Sequence, residues 1–242
     1  MAQTIDFKIG PVNTTAMVAR PAGNATVPGV VITHHRGGLD AITEWMVDNT
    51  AKAGFAAIAP NHYHVLPSLD YIEQRTKYIS DEQMGRDIQA GVDWLKGQSN
   101  VDAKRLALIG TCMGGRATLS GLETLAGTWT CGVMWYGGGT HRALSGKLPS
   151  PETPERLKQI TCPVMGLYGN DDQNPTPEDV NRLDAALTAH GKEHVFYRYD
   201  GAAHGFINLF NPTGYREKQA KDSWEKAMAY LHRYLDAKVP AE

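Results

Sequence analysis

The fold of this chain can be predicted from one six-residue motif, Gly110-Thr111-Cys112-Met113-Gly114-Gly115. It lies between a buried-strand pattern, Leu106 to Ile109, and a helical pattern from Met113 to Leu125. Glycines flank the central cysteine because a sharp strand-to-helix turn leaves no room for side chains there. Such a turn lifts its central residue above the edge of a sheet, where a ligand can reach it.

Strand and helix patterns alternate on both sides of this turn. Further strand patterns cover Ile5 to Gly10, Thr15 to Arg20, Gly29 to Thr33, Phe55 to Ala59, Gly132 to Tyr136, Val164 to Tyr168 and His194 to Tyr199. Further helical patterns cover about Ala41 to Ala53, Ser80 to Lys96, Pro177 to His190 and Gly214 to Leu235. The first two strands should form a hairpin, and the rest should be joined by helical crossovers. We therefore expect an α/β fold with a mostly parallel central sheet, helices on both faces, and a single domain over residues 1–242.

The composition favours small molecules as partners. The 242 residues carry a formal net charge of -2, which gives no electrostatic reason to expect nucleic acid or an anionic membrane as a partner. The segment from Met1 to Gly10 lacks the basic and apolar regions of a secretory signal. Three widely spaced cysteines make a poor disulfide framework. These features predict a soluble protein of the cytoplasm.

Cys112 is the candidate nucleophile. The dipole and free N–H groups of the following helix favour a thiolate, which is the reactive form of cysteine. The Met113 N–H would supply half of an oxyanion hole. Alternatively, Cys112 is a small buried apolar residue, as most free cysteines are.

A nucleophile on such a turn requires an acid and then a histidine, each after a later strand. Asp171 follows the strand ending near Tyr168, and His204 follows the strand ending near Tyr199. Taken separately, the acid could belong to ordinary turn chemistry and the histidine could be a solvated loop residue. Their order and context together predict a triad of Cys112, His204 and Asp171.

From about Val30 to Leu235 the sequence resembles the dienelactone hydrolase family in three motifs. These are the thiol turn, Gly169-Asn170-Asp171-Asp172, and Ala202-Ala203-His204-Gly205-Phe206. The resemblance implies an α/β-hydrolase fold, no metal or organic cofactor, and hydrolysis of a lactone or related ester through a thioester. It further implies Asp171 rather than Asp172 as the acid, and the Arg36 N–H as the second oxyanion donor.

Two positions depart from the family pattern. His35 stands where those enzymes carry a glutamate that holds the resting thiol, and Asn208 stands where they carry an arginine that grips the substrate carboxylate. Without the glutamate, an imidazolium at His35 or His204 should sustain a thiolate before substrate binds. Arg36, Arg75 or Arg86 could replace the arginine, although surface solvation is the commoner role of such residues.

The expected substrate-binding residues are His35, Tyr63, Tyr136 and Phe206, with core packing as the alternative for the aromatic side chains. His34-His35 and His62-Tyr63-His64 also follow strand ends, but no carboxylate or cysteine pattern completes a ligand set, so we predict no metal site.

The sequence is also compatible with two other function classes. A non-catalytic small-molecule binding protein could keep this fold, and the missing glutamate and arginine mildly favour that class. A thiol redox sensor would need a cysteine that can resolve Cys112. Cys131 and Cys162 lie in apolar strand contexts, which disfavours that role.

Overall fold

The computed structural model describes residues 1–68, 70, 73–74, 78–137 and 153–236. The strands are β1 (Gln3–Ile9), β2 (Val12–Ala19), β3 (Val27–Thr33), β4 (Ala56–Pro60), β5 (Val101–Thr111), β6 (Cys131–Trp135), β7 (Val164–Gly169) and β8 (His194–Tyr199). The helices are α1 (Ala41–Lys52), α2 (Asp81–Lys96), α3 (Met113–Thr124), α4 (Thr153–Arg156), α5 (Pro177–Ala189) and α6 (Glu217–Leu235). Short 3-10 turns cover His62–Val65 and Leu157–Gln159. The predicted strands and long helices are therefore confirmed, with shifts at their ends.

The strands form one eight-stranded sheet in the order β1-β2-β4-β3-β5-β6-β7-β8. β2 runs antiparallel to β1 and β4, whereas every pair from β4 to β8 is parallel. The opening hairpin turns at Gly10, whose φ of +56° suits a residue without a side chain. The predicted mostly parallel sheet is confirmed.

Alternate residues of the central strands point to opposite faces of the sheet. Val30 and Ile32 of β3 pack in a core with residues of α1 and α6. Val31 packs on the other face, in a core with residues of α2, α3 and α5. A sheet covered on both faces needs continuous apolar runs rather than alternation, and this is why the short runs of the sequence identified these strands. No helix in the described ranges is long and apolar enough to cross a bilayer.

The turn between β5 and α3 depends on close backbone contacts. Cys112 has φ 58° and ψ -121°, a backbone conformation that residues other than glycine rarely adopt. A Cβ on Gly114 would lie 2.0 Å from the Thr33 carbonyl oxygen, and one on Gly110 would lie 2.1 Å from Thr33 Oγ1. Thr33 Oγ1 also donates a hydrogen bond of 2.7 Å to the Gly114 carbonyl. The glycines are therefore required by contact with the end of β3.

Candidate active site

Four loops meet at the carboxyl end of the parallel sheet. Cys112 follows β5, Asp172 follows β7, His204 follows β8 and Arg36 follows β3. Because parallel strands end at the same edge, residues far apart in sequence converge there.

His204 connects the thiol to a buried carboxylate. Its Nδ1 donates a hydrogen bond of 2.9 Å to Asp172 Oδ2, and its imidazole also hydrogen-bonds the Cys112 side chain. Asp172 is 1% exposed, and its Oδ1 accepts a hydrogen bond of 2.8 Å from the Asn174 N–H. The Tyr136 ring packs edge-on against the imidazole, with ring centroids 4.8 Å apart. The imidazole is therefore held in one orientation.

The prediction that Asp171 orients His204 is wrong, because the structure places Asp172 beside the imidazole. β7 continues to Gly169, and the chain stays alongside the loop after β8 for two more residues. The Asp171 N–H donates a hydrogen bond of 3.0 Å to the Ala202 carbonyl, while its side chain faces solvent. The next side chain, that of Asp172, is consequently the one that turns inward.

Two backbone N–H groups also hydrogen-bond the Cys112 sulfur. One belongs to Met113 at the start of α3, and the other belongs to Arg36 in the loop after β3. These are the two residues expected to form an oxyanion hole. Their N–H groups and the imidazole of His204 surround the same sulfur atom.

These contacts favour a charged pair. Burial tends to raise the pKa of the Cys112 thiol, but the hydrogen bond and charge of His204, followed by the Met113 and Arg36 N–H groups, outweigh it and lower the pKa below the usual 9.0. Burial tends to lower the pKa of His204, yet the hydrogen bonds to Asp172 and Cys112 raise it to about 10. Both shifts favour the thiolate–imidazolium form of the pair over the neutral form.

A cavity of about 360 Å³ opens above Cys112. The described residues that line it are His35, Arg36, Gly37, Ile42, Glu73, Thr111, Cys112, Tyr136, His204, Gly205, Asn208 and Asn211. Its size is that of a small-molecule site. Of the four residues expected to bind substrate, His35 and Tyr136 line the cavity.

Tyr63 and Phe206 do not line this cavity, in contrast to the prediction that they bind the substrate. The Tyr63 hydroxyl points into the loop after β3 and donates a hydrogen bond of 2.6 Å to the Arg36 carbonyl. Phe206 is fully buried and packs against the rings of Tyr136 and Tyr199. Each of the two side chains therefore contacts a residue that lines the cavity, Arg36 for Tyr63 and Tyr136 for Phe206.

The positions that depart from the family pattern have partners of their own. His35 Nε2 lies 2.8 Å from Asp40 Oδ2, at the cap of α1. Asn208 lines the cavity, as its position in the resemblance suggests. Arg36 extends its guanidinium to Glu73, and both side chains line the cavity.

Of the other two candidate arginines, the structure describes Arg86, which does not line this cavity. Arg86 pairs with Glu82 on the exposed surface of α2, with a distance of 2.7 Å. Arg75 lies outside the described residues.

The histidines that follow β3 and β4 make contacts with protein groups. His62 Nδ1 and His64 Nε2 lie 3.0 and 2.9 Å from the two carboxylate oxygens of Asp87. His34 is buried and binds backbone groups. Within the described ranges no group of three or more histidine, cysteine or acidic side chains is arranged to hold a metal ion.

The remaining cysteines are poor partners for Cys112. Cys131 and Cys162 are both buried, and burial raises the pKa of Cys131 far above 9.0 and that of Cys162 to about 12. A thiol that stays protonated reacts slowly in thiol exchange, which argues against the redox-sensor class.

Sequence comparisons place the chain among hydrolases. A model described as the dienelactone hydrolase family matches residues 14–235. A protein of Methylorubrum extorquens provisionally named carboxymethylenebutenolidase is 30% identical over 226 residues, covering 89% of this chain and 75% of that protein. A Bradyrhizobium protein provisionally named 2-oxo-3-(5-oxofuran-2-ylidene)propanoate lactonase is 25% identical over 228 residues, covering 92% and 90% of the two chains.

Solved structures share the same fold. One is a Klebsiella pneumoniae protein provisionally named dienelactone hydrolase, with 24% identity, a TM-score of 0.83 and coverage of 97% of this chain and all of that chain. Another is Pyrococcus horikoshii acylaminoacyl peptidase, with 16% identity and a TM-score of 0.77, which covers 100% of this chain and 43% of that chain. The expected α/β-hydrolase fold is confirmed.

We expect iodoacetamide to alkylate Cys112 in the substrate-free protein at neutral pH. Because the pKa of the thiol is lowered, the alkylation rate should rise with pH through a midpoint below 9.0 and then stay level until His204 loses its proton near pH 10. His204→Gln should move the midpoint upward, because it removes the largest of the effects that lower the pKa of the thiol. His35→Gln, whose amide nitrogen can take the place of Nε2 and keep the hydrogen bond to Asp40, should leave the midpoint unchanged. A midpoint at or above 9.0 in the unmodified protein would refute the standing thiolate.

Proposed function

The chain belongs to the dienelactone hydrolase family and is a hydrolase of that kind, and we propose that it opens a lactone or an activated ester through a thioester on Cys112. In this proposal His204 is the acid and base, and Asp172 is the carboxylate that orients it. The observation that carries the proposal is the convergence of the His204 imidazole and the Met113 and Arg36 N–H groups on the Cys112 sulfur.

The first half-reaction forms the thioester. The Cys112 thiolate attacks the carbonyl carbon, and the electron pair of the C=O π bond moves to oxygen. The N–H groups of Met113 and Arg36 then bind this oxyanion. When the C=O bond re-forms, the C–O bond to the leaving group breaks. The leaving oxygen takes the proton from His204 Nε2, and in a lactone it stays attached to the acyl chain.

The second half-reaction returns the enzyme to its resting state. Neutral His204 removes a proton from water, and the resulting hydroxide attacks the thioester carbonyl. The same two N–H groups stabilise the second oxyanion. Its collapse expels the Cys112 thiolate and releases the carboxylic acid, while Asp172 holds the imidazolium that has formed.

The nucleophile sets the preferred leaving group. A thiolate adds readily to an activated carbonyl, but as the better leaving group it is expelled more easily than an alkoxide. Substrates whose leaving oxygen is stabilised, such as enol lactones and aryl esters, are therefore favoured. Simple amides should react poorly.

The two neighbouring aspartates allow a sharp test of the triad. Asp172→Asn should lower kcat on an aryl ester by about 10⁴-fold, because the imidazole loses its orienting carboxylate. Asp171→Asn is the matched control, and it should change kcat by no more than about two-fold because that side chain is exposed. Steady-state kinetics of the two purified variants measure the difference. The reverse ranking would return the role of the acid to Asp171.

A Cys112→Ala variant separates catalysis from mere binding. If the protein is a non-catalytic binder on this fold, the variant and the unmodified protein should hydrolyse the aryl ester at the same slow rate. We expect the variant to lose turnover while its unfolding transition in urea is preserved. Full retention of activity would end the assignment of the nucleophile.

The Arg36–Glu73 pair suggests how the cavity receives a substrate carboxylate. The side chains of Arg36 and Glu73 are 48% and 69% exposed, and an exposed ion pair is worth only about 0–1 kcal/mol. A carboxylate on the substrate can therefore replace Glu73 at little cost. The Bradyrhizobium relative is named for a lactone that carries such a group. We propose that Arg36 takes over the role that Asn208 cannot perform.

The ratio of kcat/KM for a monoaryl succinate to that for an aryl pentanoate tests this role. Arg36→Met keeps the backbone N–H but removes the charge, so the ratio should fall by about 10-fold or more, as for a lost charged hydrogen bond. Glu73→Gln should raise the ratio by no more than about five-fold, because it removes a weak competitor. Activity on the uncharged ester is the internal control. An unchanged ratio in Arg36→Met would exclude Arg36 as the anchor.

A further inference from the structure

We propose that His34 is a positioning residue for the oxyanion hole. Its imidazole holds the peptide group between His35 and Arg36 so that the Arg36 N–H faces the reacting atoms. The inference rests on the proposed function, since it assigns His34 to the same hydrolytic site.

The hydrogen bonds of His34 define its tautomer. The His62 N–H donates a bond of 3.0 Å to His34 Nε2, so this nitrogen carries no proton. Nδ1 therefore carries the proton and donates a bond of 2.7 Å to the His35 carbonyl. Burial, together with the neighbouring His62, holds the pKa of His34 well below 6.5. The imidazole is consequently neutral, and it keeps this arrangement at neutral pH.

The bond from His34 acts on the peptide that serves Cys112. The His35 carbonyl and the Arg36 N–H are opposite ends of one planar peptide group. The carbonyl accepts hydrogen bonds from His34 Nδ1 and, at 3.1 Å, from the Gly38 N–H, while the N–H bonds the Cys112 sulfur. Turning this peptide would break bonds at both ends. The two donors to the His35 carbonyl thus fix the direction of the Arg36 N–H, and they also polarise this peptide group.

Neighbouring residues hold His34 itself in place. Its ring packs against the rings of His62 and Tyr63, with centroids 4.6 and 4.9 Å away. Tyr63 fixes the next peptide through its bond to the Arg36 carbonyl, and His62 Nδ1 bonds the fully buried Asp87 of α2. The loop after β3 is therefore braced against α2 at the point where it supplies a donor to the active site.

Two substitutions of His34 separate its two hydrogen bonds. In His34→Asn the amide nitrogen can take the place of Nδ1, which keeps the donor to the His35 carbonyl and gives up the acceptor for His62. In His34→Gln the amide oxygen can take the place of Nε2, so the acceptor is kept and the donor is lost. Each variant loses one neutral hydrogen bond, and urea unfolding should show similar stability for both.

We expect the kcat values of the two variants to differ. Removal of an oxyanion donor costs about 10²–10³ in kcat, so His34→Gln should lower kcat on an aryl ester by about 10²-fold with little change in KM. His34→Asn should stay within about ten-fold of the unmodified enzyme. Equal kcat values in the two variants, or a loss confined to KM, would overturn the inference.

A measurement without substrate keeps this test separate from the proposed function. The ultraviolet absorbance of the Cys112 thiolate, taken as the difference from Cys112→Ala, should be smaller in His34→Gln than in His34→Asn because the Arg36 N–H also stabilises the resting thiolate. This difference tests His34 even if Cys112→Ala retains activity and the proposed hydrolysis fails. Equal thiolate absorbance in both variants would count against His34.

Tyr63→Phe provides a second route if His34→Gln does not fold. It removes the bond to the Arg36 carbonyl without touching the cavity wall, and it should lower kcat by about two- to ten-fold, as for one neutral hydrogen bond. An unchanged kcat together with unchanged thiolate absorbance would show that the loop needs no bracing, and would overturn the inference.

Discussion

The contact between the end of β3 and the turn at Cys112 is the constraint on which the rest of the site depends. Thr33 touches the backbone at Gly110 and Gly114 so closely that neither position can carry a side chain. This contact holds Cys112 at a positive φ, with its N–H bonded to the Trp135 carbonyl at 3.1 Å. The strained conformation of Cys112 persists because three neighbouring strands, β3, β5 and β6, hold the turn in place. β3 then leads directly into the loop that brings Arg36 to the thiol.

A thiolate at the half-buried Cys112 needs more than a favourable turn. Burial opposes the charge on Cys112, and the hydrogen bond and charge of His204, with the Met113 and Arg36 N–H groups, outweigh it. His204 in turn owes its high pKa to Asp172, which is itself buried and hydrogen-bonded at both oxygens. His35 is paired with Asp40. His204, which hydrogen-bonds the thiol, is therefore the histidine that favours the thiolate most.

The sequence predicted those features that local rules control. The glycines around Cys112 form a motif that is recognisable within six residues, although the contacts that require them come from Thr33 in β3. The apolar runs indicate strands that are covered on both faces. The choice between Asp171 and Asp172 was missed because it depends on how far β7 continues beside β8, which a one-residue change in register decides. The direction of Tyr63 depends on its partner in another loop. His34 gave no usable signal, since its partner His62 lies 28 residues away in the chain.

A covalent thioester between the Cys112 sulfur and the substrate can be detected by intact-protein mass spectrometry after acid quenching. During turnover of an aryl ester the protein should gain the mass of one acyl group, and peptide mapping should place that group on Cys112. The adduct should disappear once the ester is consumed, as water releases the acid. Two results would contradict a thioester on Cys112. One is rapid turnover with the acyl group on another residue. The other is rapid turnover with no adduct at any quench time, under conditions in which acylation is faster than release of the acid.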